Sequence, residues 1–250
     1  MLKILFREYG KNCKVVGIAD GFGVAEDPNG LDSGELIRLF ETTSPITGFN
    51  KDKLSYTGIL MDRSTEEGLA RANTMFLRVK ADVFVPAGGR PNTMNGSNWR
   101  QFLDANGKPT SSLIVEGANI FNTPEARANL FKHAGVVIVK DSSANKCGVI
   151  TSSCEVQASM LLSKDEFMAV KDELVRDVVV RLKQYAKLEA DLLFRAYKNF
   201  PGDLPHFSER ISDAINRCTD AIADKLATVN PEDPLFQELL PLIKGMYMCS

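Results

Sequence analysis

Short apolar runs alternate with amphipathic stretches through the first 160 residues of the chain. Such runs, rich in β-branched side chains and bounded by small or polar residues, are typical of buried strands in a parallel sheet, and the stretches between them suit crossover helices. We therefore predict an α/β fold with a mostly parallel sheet. The predicted strands are residues 14–19, 81–86, 112–115 and 136–139.

Beyond residue 160 the apolar residues recur at helical spacing, without strand patterns. Ser163 and Glu166 have the spacing of a capping box, which predicts a helix from this point to about Asn199. Pro201 and Pro205 should stop that helix, a second helix should run from residue 208 to residue 230, and a closing helix should follow residue 234. The chain thus divides into an α/β domain over residues 1–160 and a helical C-terminal region over residues 161–250.

Small or polar residues follow each predicted strand at its carboxyl end. Ligands of open α/β sheets bind just outside these ends, so four such loops in succession predict one wall of a binding site. Asn119 and Asn145 close two of the loops and are candidate ligand contacts. Alternatively both are turn formers, and Asn145 caps the helix that follows. The four loops are residues 20–23, 87–90, 116–119 and 141–145.

The first predicted strand ends in a carboxylate, Asp20. In dinucleotide-binding folds an acid at the end of the second strand accepts hydrogen bonds from the adenosine ribose, and its charge repels a 2′-phosphate. Residues 21–27 contain no Arg or Lys, which favours NAD over NADP. The alternative is that Asp20, which precedes a Gly-x-Gly segment, is only a turn residue.

A ribose-binding acid normally follows a glycine-rich, phosphate-binding turn by ~20 residues. Here only 13 residues precede Lys14. Leu2, Leu5 and Phe6 have helical spacing and suit the end of a crossover helix, so we expect the first strand and its glycine-rich turn to lie before Met1. The alternative is that residues 1–9 form a natural amino-terminal helix of a different fold.

Composition narrows the class of protein. A hydrophobic content of 44% is ample for a core, and a net charge of -2 offers no field for nucleic acid or an anionic membrane. Apolar runs fall short of the ~20 residues that cross a bilayer. An odd number of cysteines without C-x-x-C spacing predicts a reducing, intracellular setting rather than disulfides or zinc. The cysteines are Cys13, Cys147, Cys154, Cys218 and Cys249.

Isolated reactive residues carry weaker signals. His133 and His206 are far apart and match neither a metal site nor a catalytic triad, so we predict no metal. Cys147 and Cys154 have no histidine nearby and are interpreted as small core residues. Arg90 and Lys146 stand near strand ends where a substrate anion would lie, although a solvated surface is the default for both.

Four segments carry ordered motifs. They are IADGFGV and DPNGLD at residues 18–24 and 27–32, DVFVPAGGRPN at 82–92, IVEGAN and TPEA at 114–119 and 123–126, and KDSSANKCGV at 140–149. Together, these motifs resemble the glutamate dehydrogenase superfamily, specifically its large NAD-specific type. The resemblance implies a Rossmann-like sheet, with Asp20 as the ribose-binding acid and Ala87 and Gly88 beneath the adenosine ribose. It implies that Asn119 and Asn145 contact the nicotinamide end.

The resemblance also implies a substrate pocket, with Ser152 binding a carboxylate of L-glutamate and Val149 packing on its aliphatic chain. The family has two glycines before that valine, whereas this chain has Cys147 and Gly148. Its catalytic lysine and acid lie upstream, so we expect no catalytic residue here. We expect a sheet without its first strand, an isolated chain that folds poorly and does not turn over glutamate, and a homo-oligomeric, cytoplasmic or mitochondrial full-length enzyme.

Three other functions stay open at this point. The chain could be a non-catalytic regulatory or assembly subunit that partners a full-length enzyme. It could be a freestanding nucleotide-binding module, which predicts tight NAD binding. It could also belong to a different amino-acid dehydrogenase, because Val149 and Ser152 only favour an acidic substrate side chain.

Overall fold

A computed structural model of the protein describes residues 2–230, 232–234 and 237–238. The chain forms two compact units, Met1–Val139 and Lys140–Ser250. The first unit contains all the strands of the described residues, and the second is helical. The predicted division at residue 160, which assigns the first long helix of the second unit to the nucleotide-binding part, stays a prediction about domain organisation.

The first half of the first unit is built on an antiparallel sheet with the order β1-β2-β3. Residues Ile18 and Leu60 of the outer strands both pair with Ala25 of the central strand, which is fully buried. Leu36 and Leu39 pack with Ala25 in one core. The elements are helix α1 (Leu2–Tyr9), strands β1 (Gly17–Ala19) and β2 (Gly23–Glu26), helix α2 (Ser33–Glu41), strand β3 (Ile59–Asp62) and helix α3 (Glu66–Thr74).

The prediction that residues 14–19 form a parallel strand is wrong. Only Gly17–Ala19 is a strand, and it pairs antiparallel with β2, which was not among the predicted strands. The physical reason is the short connection between them: antiparallel strands can be joined by a tight turn, whereas parallel strands need a long crossover. Asp20 makes that turn, since its amide donates to the Gly23 carbonyl at 3.0 Å.

The second half of the first unit is built on a parallel sheet with the order β4-β5-β6, which confirms the α/β class. Helix α4 connects β5 to β6. Thr123 caps its first turn, Pro124 occupies a position where no amide hydrogen bond is lost, and Gly135 ends it with a left-handed φ of 63°. The elements are β4 (Val83–Phe84), β5 (Leu113–Val115), α4 (Pro124–Ala134) and β6 (Val137–Val139).

The parallel sheet has its own core. Ile114 of β5 and Leu130 of α4 are fully buried, together with Phe102 from a 3-10 turn. Phe84 of β4 stacks on Phe76 at 5.4 Å and meets the ring of Phe121 edge-on at 5.6 Å. Three of the four predicted strands therefore lie where the apolar runs placed them, although each is shorter than its run.

The second unit consists of four helices in its described part: α5 (Asp141–Ala144), α6 (Cys147–Leu161), α7 (Lys164–Asn199) and α8 (Leu204–Ala227). The predicted capping box is confirmed, because Ser163 and Glu166 exchange side-chain and backbone hydrogen bonds at the start of α7. The predicted end of that helix at Asn199 is confirmed as well.

Helix α8 begins earlier than predicted. It starts at Leu204 rather than at Ser208, with Asp203 accepting from the His206 amide and Pro205 inside the first turn. Proline stops a helix interior, but in the first turn its missing N–H would have had no helical partner anyway. The predicted closing helix after residue 234 lies almost entirely outside the described residues.

Candidate functional site

Asp20 is the organising side chain of the β1–β2 turn. Its Oδ1 accepts from the amides of Phe22 and Gly23 at 2.7 and 3.0 Å, and its Oδ2 accepts from the Ile46 amide at 2.8 Å. This is the turn-forming arrangement that the sequence analysis offered as the alternative. A carboxylate has about four acceptor sites. Asp20 therefore keeps acceptor capacity, and its contact with ribose stays a prediction.

A basic side chain lies beside Asp20 in the folded chain. Arg63, 43 residues away, donates from Nη1 to the Asp20 carbonyl oxygen at 3.1 Å, and its Nη2 donates to Asn73 at 2.7 Å. The predicted preference for NAD over NADP rests on the absence of Arg and Lys from residues 21–27, a range that does not include Arg63. A long-range contact of this kind leaves no local signal in the sequence.

Other carboxylates near Asp20 hold the same region together. Burial raises the pKa of Asp27, but hydrogen bonds from the side chain and amide of Ser55 outweigh this effect and hold that pKa below its ordinary value. Glu26 of β2 is buried and accepts from Arg71 and Arg78. These carboxylates have structural partners, which accounts for their burial.

The predicted site residues Ala87, Gly88 and Asn119 follow strands β4 and β5 and are exposed. Their two loops are joined, because the Ala118 amide donates to the Pro86 carbonyl at 2.7 Å. A Cβ on Gly117 would lie 3.3 Å from the same Pro86 oxygen, a tight contact that glycine avoids. The structure thus brings these three predicted residues together at the carboxyl edge of the parallel sheet.

A buried polar cluster lies at the base of the Asn119 loop. Glu116, fully buried at the end of β5, accepts a bidentate pair from Arg127 of α4, Nε to Oε1 at 3.0 Å and Nη2 to Oε2 at 2.6 Å. Asn122 Nδ2 donates to Glu116 Oε1 at 2.5 Å. The sequence analysis quoted Glu116 only as part of a motif, since nothing local to it signals Arg127 as a partner.

The remaining predicted site residues lie in the second unit. Asn145 follows α5 rather than capping α6, whose N-cap position is Lys146 without a side-chain capping bond. The predicted capping role of Asn145 is therefore wrong. Val149 and Ser152 are exposed and three residues apart on α6, which places them on one helix face. Val149 is 71% exposed.

Helices α7 and α8 hold the segment that carries Asn145. Lys146 Nζ donates to Glu189 of α7 at 2.5 Å, so this cation is paired within its own unit. The hydroxyl of Ser208, buried on α8, lies 3.1 Å from that of Ser142 and 2.6 Å from that of Ser143. Arg90, the other candidate for an anion, is exposed on its loop.

The described residues contain neither a metal-binding cluster nor a membrane-spanning helix. Within the described residues, no three His, Cys, Asp or Glu side chains are grouped so that they could hold a metal ion. Across residues 2–230, 232–234 and 237–238, no helix combines the length and apolar character needed to cross a membrane.

The fold and its loops define an α/β protein in which the candidate ligand contacts Ala87, Gly88 and Asn119 lie at the carboxyl edge of a parallel sheet. Solved structures support the fold: glutamate dehydrogenase 2 of Plasmodium falciparum superposes over 83% of this chain and 41% of its own, with a TM-score of 0.52 and 18% identity. The family model of glutamate/leucine/phenylalanine/valine dehydrogenases matches residues 5–197. The chain belongs to this family.

Curated relatives are similar over most of the chain. A probable NAD-specific glutamate dehydrogenase of Schizosaccharomyces pombe is 40% identical over 74% of this chain and 18% of its own length. Glutamate dehydrogenase 2 of Dictyostelium discoideum is 35% identical over 84% of this chain and 22% of its own. The chain therefore spans about a fifth of the length of these relatives.

Proposed function

We propose that this chain provides the NAD-binding part, and one face of the substrate pocket, of an NAD-specific glutamate dehydrogenase. The reaction is the oxidative deamination of L-glutamate to 2-oxoglutarate and ammonia. The observation that carries the proposal is the joining of the Ala87–Gly88 and Asn119 loops at the carboxyl edge of the parallel sheet, the edge where α/β folds bind nucleotides. The names of the relatives support the choice of cofactor and substrate.

The residues of the chain fit NAD in three ways. Asp20 has acceptor capacity left for ribose hydroxyls, Ala87 and Gly88 present little side-chain bulk, and the amides of Asn119 and Asn145 can both donate and accept. NAD, when bound, supplies the hydride acceptor. The chain's own contribution is to bind and orient.

The substrate contacts are assigned to one face of α6. The Ser152 hydroxyl donates to a carboxylate of glutamate, and Val149 packs against the aliphatic part of its chain. The exposure of both side chains leaves them accessible to a ligand. We assign no catalytic residue within the 250 residues, and propose that acid-base groups of the reaction are supplied from outside this chain.

The proposal is tested by mapping NAD onto the isotopically labelled 250-residue chain by amide NMR, which detects weak binding. NAD should shift the amide signals of Gly88 and Asn119, and Asn119→Ala should weaken binding. Asn106→Ala, at an exposed asparagine of another loop, is the matched control. A folded chain whose spectrum does not change with NAD would overturn the proposal. Tight binding of NAD by the 250-residue chain alone would favour a freestanding nucleotide-binding module instead.

We propose that the full-length protein is a homo-oligomer located in the cytoplasm or mitochondria. Support for association comes from the helical unit, where apolar side chains such as Val180 and Leu188 of α7 and Ile222 of α8 are more than half exposed. Light scattering of the purified chain tests whether it self-associates. Co-purification with a longer dehydrogenase, instead of self-association, would favour the regulatory or assembly subunit.

A further inference from the structure

The loop that carries Asn119 is closed at its base by one carboxylate. Glu116 precedes the loop and Asn122 follows it, and the Asn122 amide nitrogen donates to Glu116 Oε1. Arg127, one turn into α4, binds both oxygens of the same carboxylate. Glu116 therefore ties together the end of β5, the far end of the loop and the start of the next helix.

The loop is also fastened to the neighbouring segment that follows β4. The Asn92 amide donates to the Ile120 carbonyl at 2.7 Å, and the Met94 amide donates to the Phe121 carbonyl at 3.1 Å. The Phe121 side chain is buried in the core of the parallel sheet. Asn119 and Ile120 at the tip of the loop are exposed, as is Gly117 at its start, whereas Ala118 is half-buried.

The tip has a backbone conformation that needs support. Ile120 has a φ of 54°, in the left-handed region that β-branched residues rarely adopt. Such a conformation persists only where the surrounding contacts determine it. The buried ion pair below and the hydrogen bonds on the side provide those contacts, and they fix the direction in which the adjacent Asn119 leaves the loop.

A buried ion pair is a costly way to gain stability, because both charges lose their hydration and well-packed apolar residues often serve as well. Its bidentate geometry does fix the relative orientation of the two side chains, since the planar guanidinium fits the carboxylate in one orientation. Stability alone therefore does not explain Glu116 and Arg127, whereas a requirement for one loop conformation does.

We propose that Glu116, with Arg127 and Asn122, is a positioning unit that holds the Asn119 loop in its ligand-binding conformation. The identity of the ligand as NAD rests on the function proposed above. The positioning itself does not, because it concerns the loop in the absence of any ligand.

The test measures amide hydrogen exchange and NAD binding of the 250-residue chain in parallel. In E116Q the amides of Asn92, Met94 and Ala118 should exchange about tenfold faster, and NAD affinity should fall about tenfold, because a buried hydrogen-bonded partner is lost. Amides of the antiparallel sheet should keep their relative protection. Unchanged exchange at these three amides would overturn the proposal.

Glu35→Gln is the matched control. Glu35 is also buried and also binds an arginine in bidentate fashion, Arg38 Nε to Oε2 at 3.0 Å and Nη2 to Oε1 at 2.6 Å, but it belongs to the antiparallel region. E35Q should lower stability without changing exchange in the Asn119 loop or NAD affinity. Equal effects of E35Q and E116Q on the loop would reduce Glu116 to a general stabilising residue.

A double variant, Glu116→Met with Arg127→Met, separates positioning from stability. In E116Q the buried Arg127 charge has lost its carboxylate partner. Replacing both residues removes that charge, so stability should recover relative to E116Q, but the Asn122 amide still lacks its acceptor. Loop exchange should stay fast and NAD affinity low. If slow loop exchange and NAD affinity both returned together with stability, the proposal that Glu116 positions the loop would be refuted. If the wild-type chain binds no NAD, the proposed function fails while the exchange measurement still decides on the positioning unit.

Discussion

Around the antiparallel sheet, Asp20, Asp27 and Glu35 accept hydrogen bonds from backbone amides of segments distant in sequence, whereas beside the parallel sheet Glu116 accepts from the side chains of Arg127 and Asn122. Asp20 illustrates the first region, because its carboxylate builds a turn and ties it to Ile46. In the second region the buried Glu116 carboxylate supports the base of the Asn119 loop, and the tip of that loop is exposed. The difference shows that a polar residue at a strand end can be either part of the scaffold or available to a ligand, and that its hydrogen-bond partners decide which.

The largest expected effect is that of Arg127→Ala. It leaves Glu116 buried and without its guanidinium, which should lower the free energy of unfolding by about 3–5 kcal/mol. Arg38→Ala should lower it much less, since the Arg38 side chain is 47% exposed, against 7% for Arg127, and Glu35 keeps the Asn50 amide. Chemical denaturation of both variants measures the difference. Equal losses would mean that the two ion pairs do not differ as described.

Acid should weaken the antiparallel region through Glu35. The Arg38 guanidinium, helped by the Asn50 amide, holds the pKa of Glu35 at about 2, below the ordinary 4.5. Because the folded-state pKa is depressed, the stabilisation is complete above about pH 4.5 and is lost as the pH falls towards 2. E35Q should flatten this acid limb in denaturation experiments, while E41Q, exposed on the same helix, should not.

Asp20→Ala should cost about 1–2 kcal/mol, because the β1–β2 turn loses a side chain that accepts from three amides. Asp20→Asn keeps one acceptor oxygen and should cost less. If Asp20 also binds ribose, D20N should reduce the preference for NAD over NADP, since the repulsive charge is gone. A large stability loss in D20A with an unchanged cofactor preference in D20N would assign Asp20 to the scaffold alone.

The smallest expected effect on stability is that of Gly88→Ala. A methyl group there meets open space, so the free energy of unfolding should change by no more than about 0.5 kcal/mol. NAD binding should weaken nonetheless, because the added methyl would occupy the surface beneath the proposed ribose. NAD titrations of wild type and G88A compare the two. Unchanged binding would place the ribose elsewhere.

Patterns within a few residues predicted much of the molecule. The apolar runs gave the positions of β4, β5 and β6, and the spacing of Ser163 and Glu166 gave the start of α7. The ordered motifs indicated the family that the comparisons then established. Each of these features depends on neighbouring residues, whose spacing is visible in the sequence.

Contacts between distant residues decided the rest. The antiparallel pairing of β1, the approach of Arg63 to Asp20 and the burial of Glu116 against Arg127 each depend on where the folded backbone brings separate segments. Apolar periodicity indicates that a strand is buried but not which strand it pairs with. In the sequence, a carboxylate that caps a turn cannot be distinguished from one that pairs with arginine. The sequence by itself therefore determined the strands of the parallel sheet, the start of the long helix α7 and the family. Only the tertiary structure decided the antiparallel sheet and which polar side chains are bound within the scaffold, because hydrogen bonds and ion pairs are satisfied by neighbours in space.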